Sequence, residues 1–184
     1  MFDREYSFRG SHAAKVIKLT AVFDNNKNKL FNRNLDVYLI APIVGFLYNR
    51  KADLDRSGES TKIFPEQLMN ERNNLLFTYR LIILLDKEHE PDFEERINKA
   101  FRYYGSEKAA SDEELYEVYV RGGVDVLYEK LLGSIASEED YLKNLYDFLE
   151  EFDERYNQAI TTDSILDLCR LVVNHGRGIS ATLC

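Results

Sequence analysis

Cysteine occurs twice in the 184 residues, proline three times and tryptophan never. Two cysteines, Cys169 and Cys184, are too few and too oddly placed for a disulfide framework. Cys169 falls on an expected apolar helix face, where a thiol serves as core rather than nucleophile. Long apolar runs are missing as well. The longest, Leu75–Leu85, is interrupted by Thr78 and Arg80, whereas a bilayer span takes roughly 20 residues. The opening Met-Phe-Asp-Arg-Glu-Tyr places acids where a signal peptide carries bases and then an apolar stretch. These features lead us to expect a cytoplasmic protein without a membrane segment.

Catalytic signatures are equally sparse. The chain contains no Gly-x-Ser-x-Gly elbow, no phosphate loop of the Gly-x-x-x-x-Gly-Lys type and no Gly-x-Gly-x-x-Gly fingerprint. Asp53-x-Asp55-x-Ser57-Gly58 copies the opening of a calcium loop, but the twelfth position is Phe64 where a bidentate Glu is needed. It reads as a solvated loop. Asp86 and His89 have a metal-like three-residue spacing, yet no Glu-x-x-His motif exists to complete a di-iron set. His89 is therefore expected exposed at a helix end, and His12 and His175 stand alone. No metal and no cofactor are expected.

What the chain does have is a split in charge. Residues 1–64 carry 11 Lys+Arg against 7 Asp+Glu, and residues 65–184 carry 13 against 25. A segment of net +4 thus precedes one of net −12, the kind of asymmetry that bears on partners rather than on fold. Within the basic segment, Arg4, Arg9, Lys15, Lys18, Lys27, Lys29 and Arg33 alternate with Phe2, Tyr6, Phe8 and Phe31. Such interleaving suits either an acidic protein surface or phosphate contact with base stacking.

Helical periodicity and capping recur along the chain. Ser137 precedes Glu138, Glu139 and Asp140, and Leu142, Leu145, Leu149, Phe152 and Tyr156 follow at spacings of three and four, widened by Tyr141 and Phe148. The pattern predicts a helix over 138–156 whose stripe serves an internal core or a partner helix. Ser111 and Glu114 have capping-box spacing before a helical run to Gly133. Gly122 and Gly123 lie inside that run and mark first a break between two shorter helices, second a place of close backbone approach, and third a ligand-contacting loop.

Pro65 and Pro91 read as first-turn prolines of helices over about 65–86 and 91–104, the second stopped by Gly105. Leu75–Leu85, apolar nearly all round, is expected as the central helix. A helix over 12–23, a polar connector at 24–29, a kinked or doubled helix over 34–49 (Pro42 and Gly45 lie within it) and a last helix over 163–173 complete the reading.

The expected architecture is all-α: one domain over 1–184 of about six or seven helices around a central apolar one, with a basic N-terminal segment over 1–64 and an acidic helical body over 65–184. The leading functional expectation is a non-catalytic protein-interaction or regulatory subunit of a larger assembly, with a protein partner or self-association. A nucleic-acid-binding accessory protein comes second. A helical enzyme without a recognisable motif comes third.

Overall fold

A computed structural model describes residues 1–157. It divides the chain into a compact unit, Met1–Leu145, and a second, Tyr146–Cys184. The described residues are predominantly helical, and no helix among them is long and apolar enough to cross a membrane.

The first unit begins with strand β1 (Tyr6–Arg9), which runs directly into helix α1 (Gly10–Leu19). After an irregular stretch come helix α2 (Asn34–Leu47) and strand β2 (Ser60–Ile63). Helices α3 (Pro65–Asn70), α4 (Arg72–Leu85) and α5 (Phe93–Ile97) follow, the last continued by a π-helical turn, Asn98–Arg102. A single 3-10 turn at Glu107–Ala109 leads into α6 (Ala110–Leu132), and α7 is Glu138–Tyr156. The two strands form an antiparallel pair with Tyr6 opposite Ile63 and Phe8 opposite Thr61. Strand alternation sends Phe8 and Ile63 into the core and Arg9 to solvent. The charge split of the sequence is not a structural division, because α1 and α2 of the basic segment pack along α6 of the acidic one.

The centre of the fold is α6, not α4. Three glycines explain why. A methyl group on Gly45 of α2 would run into the Tyr119 carbonyl oxygen, and one on Gly123 of α6 into that of Ala41. Helix axes usually sit 8–10 Å apart with side chains between them; here backbone meets backbone instead. Gly122 is filled from a third side, its missing methyl pointing at the Arg50 carbonyl oxygen. The expected break at Gly122–Gly123 is thus replaced by an unbroken helix in close contact. Each glycine costs about 1 kcal/mol in helix propensity, and here the burial gained along the seam exceeds that cost. Pro42 likewise lies within one continuous helix α2.

Segments that follow α2 are stitched to α6. The Ala52 amide donates to the Val118 carbonyl at 3.1 Å, and Arg121 Nε donates to the Ala52 carbonyl at 2.8 Å. Around the seam, Tyr38, Tyr79 and Tyr116 are almost fully buried with Phe2 and Phe8. Tyr116 lies at the middle of this group, its ring centre 5.7 Å from Phe2, 5.8 Å from Tyr79 and 6.4 Å from Tyr38. Aromatic pairs at such separations add to the burial of their area.

Several local expectations change. The Ser111 box does not form, since α6 starts at Ala110 straight from the 3-10 turn and Glu114 pairs instead with Arg121 at 2.7 Å. The helix expected over 65–86 is divided at Glu71 into α3 and α4. Pro65 is the first residue of α3, whereas α5 is capped by Asp92, which accepts from the Glu95 amide, one residue beyond Pro91. Helix α1 ends at Leu19, so Phe23 leaves it and stacks on Tyr141, ring centres 4.7 Å apart. Cys169, His175 and the helix expected over 163–173 lie outside the described residues.

Candidate interaction site

The seven basic residues of the N-terminal segment do not form one surface. Lys15 Nζ lies 2.7 Å from Asp125, Arg33 pairs with Asp36 at 2.7 Å, and Lys18 donates to the Tyr128 hydroxyl at 3.3 Å. Arg4, Arg9, Lys27 and Lys29 are exposed and make no ion pair among the described residues. Their intended aromatic companions are elsewhere: Phe2 and Phe8 are buried, and Tyr6 packs on Tyr38 with ring centres 4.4 Å apart. Alternation along β1 turns Tyr6 and Phe8 inward and Arg9 outward.

The Asp55 loop has a structural use. Asp55 accepts from the Ser11 amide at 2.8 Å, capping α1 from 44 residues away, and from Ser57 in its own loop. These bonds hold its carboxyl well below the usual carboxylate range. Contrary to expectation, His89 is half-buried, with Nε2 2.7 Å from the fully buried Asp112. Lys99 lies 3.4 Å from the same carboxylate. This cluster ties the segment after α4 to the first turn of α6. Among the described residues no three His, Cys, Asp or Glu side chains have an arrangement that could hold a metal ion.

The sequence offered no signal for Glu117. It lies in a cleft of about 320 Å³ that Arg4, Glu5, Tyr6, Tyr38 and Glu113 also line. The Tyr38 hydroxyl donates to Glu117 Oε1 at 3.2 Å, and Tyr6 donates as well. Burial pushes the Glu117 carboxyl up to about 7, against the opposing pull of the Tyr6 bond and the Arg121 charge. Such a group exchanges a proton near neutral pH. The cleft around it is lined by carboxylates, tyrosines, Arg4, Met1 and Ala110.

A second kind of site lies on α4. Leu75, Tyr79, Ile82 and Ile83 face the core, which leaves the opposite line, Phe77, Leu81 and Leu85 at four-residue spacing, in solvent. Phe77 is 67% exposed and Leu85 51%. Phe101 of the π-helical turn, 51% exposed, stands beside them. Together Leu76, Phe77, Arg80, Leu81, Leu84 and Phe101 line an open groove of about 380 Å³. Arg80 lies over the Phe101 ring at 5.0 Å, its Nε is enclosed without a hydrogen-bond partner, and it makes no ion pair among the described residues.

The stripe expected on α7 divides between two lines. Leu142 and Leu149 are 61% and 57% exposed, with Tyr146 between them at 64%. Leu145, Phe152 and Tyr156 are partly buried, and Phe148 is the buried residue of the helix. Phe148, Phe152 and Tyr156 form a chain of ring contacts, with centres 6.1 and 4.7 Å apart. The outer line is therefore Leu142, Tyr146 and Leu149, which keeps two members of the expected stripe and has Tyr146 in place of Leu145. The amphipathic pattern was visible in sequence, and its division was not, because both lines are apolar at helical spacing. Compared with protein-family models, curated proteins and solved structures, the chain matches none.

Proposed function

We propose that this protein is a cytoplasmic, non-catalytic interaction subunit that docks another protein through the outer face of α4 and Phe101. The observation that carries the reading is the groove itself: three large apolar side chains, Phe77, Leu81 and Phe101, stand in solvent around it. Scattered apolar residues on a surface are ordinary, but a contiguous apolar patch rimmed by polar groups marks a place of association. An aromatic pair with an arginine is also the composition that dominates binding at protein interfaces. The nucleic-acid alternative has less support, since Phe2 and Phe8 are buried and Lys15 and Arg33 are paired with carboxylates of the same chain.

Photocrosslinking in the native host tests the proposal. A photoreactive phenylalanine analogue at position 77 should give a discrete adduct with a second polypeptide, and the same analogue at exposed Asn26, away from the groove, should not. Absence of any adduct at position 77 in growing cells would refute docking at this face.

A further inference from the structure

We propose that the occupant of the α4 groove is the acidic helix α7 of a second copy of this chain, an inference that rests on the docking role just described. Charge selects the occupant. Helix α4 contains two charged residues, Arg72 and Arg80, both cationic. Arg80 lines the groove, and Arg72 precedes it by two helical turns on the same helix. Arg80 is already partly desolvated, and its unpartnered Nε calls for a carboxylate among apolar neighbours. A symmetric pairing of α4 with α4 would bring these cations together across the axis and bury them without compensation.

From Tyr146 to Tyr156 the chain carries five carboxylates, Asp147, Glu150, Glu151, Asp153 and Glu154, against one base, Arg155. On the same segment Tyr146 and Leu149 stand in solvent, one helical turn apart. An apolar pair with Asp147, Glu150 and Asp153 around it is the complement of an apolar groove with an unpaired arginine at its edge. Because groove and helix are different surfaces of one chain, the contact is head-to-tail, and each copy offers one of each.

The test is sedimentation velocity on the full chain across concentration and ionic strength. The weight-average mass should rise with concentration and fall on adding salt. Phe77→Asp and Leu149→Asp should each return the protein to monomer while leaving its circular dichroism unchanged, as expected of exposed positions. An equimolar mixture of the two variants should recover a dimer and nothing larger, since the pair retains one intact groove and one intact helix. A wild-type chain that stays monomeric throughout overturns the inference, as does association lost in Phe77→Asp but kept in Leu149→Asp. In either case a crosslink from position 77 to a different protein would leave the docking reading standing, and a crosslink to neither would remove both.

Discussion

Helices α4 and α6 invert the ordinary relation between hydrophobicity and depth. Helix α4 is apolar nearly all round and shows half of itself to water, whereas α6, with Asp112, Glu113, Glu114, Glu117, Arg121 and Asp125 along its length, occupies the middle of the fold. Depth is set here by how closely a backbone can approach. The Gly122–Gly123 pair lets α2 and the Arg50 carbonyl come to α6 without intervening side chains, and the polar groups of α6 find partners around the rim: Arg121 with Ala52 and Glu114, Asp112 with His89, Asp125 with Lys15. Helix α4 contains no glycine and packs with one line only. Steric permission ranks above side-chain transfer energy in deciding which helix becomes central.

The comparison breaks most severely at the seam. Gly123→Ala places a methyl group against the Ala41 carbonyl and should cost at least about 3 kcal/mol, measured by urea unfolding, because backbone must move on both sides. A loss under about 1 kcal/mol would show that the α2–α6 approach does not set the fold.

A smaller effect is expected at Glu117. Its folded-state pKa, about 7, lies above the ordinary 4.5, so the native state holds a proton that the unfolded chain releases as pH rises through that interval. Stability should therefore fall between about pH 4.5 and 7 and level off above, by up to about 3 kcal/mol. Glu117→Gln should remove this slope and melt higher than the parent at pH 8. A variant whose melting temperature retained the parent's pH dependence would place the titration elsewhere.

The least effect belongs to α4. Phe77→Ala, in dilute solution where association is absent, should shift stability by no more than about 0.5 kcal/mol, since the ring is 67% exposed. A loss of about 2 kcal/mol, the scale of a buried truncation, would mean that Phe77 belongs to the core and that the contrast between the two helices fails.

The periodicities of the sequence marked every helical region of the described residues, because 3.6-residue spacing is a local property, but they merged α3 with α4, carried α5 on to Tyr104 and relied on a Ser111 cap that does not form. Nothing local distinguished α4 from α6. The glycine pair read as a break because its reward, contact with Ala41 and Arg50, lies far away in sequence. The two strands escaped notice for a similar reason: each is four residues long, and Tyr6–Arg9 and Ser60–Ile63 are strands only with respect to each other. In the candidate site, Phe77, Leu81 and Leu85 were counted as core, although a helix apolar on every side in a chain of this size signals that one side lacks cover. Arg80 had no sequence signature, since its lack of a partner is a property of the folded neighbourhood.

The seam also fixes an order of events during synthesis. Tyr38 and Glu117, bonded across it, are 79 residues apart, so α2 emerges from the ribosome long before the helix that covers it exists. Local helices form in about a microsecond, but the docking of α2 on α6 must await α6 and close a long loop before any packing is gained. During that interval the apolar faces of α2 and α4 are open together, one awaiting its own chain and the other open even in the finished fold. A nascent chain in this state is a natural client for a holding chaperone.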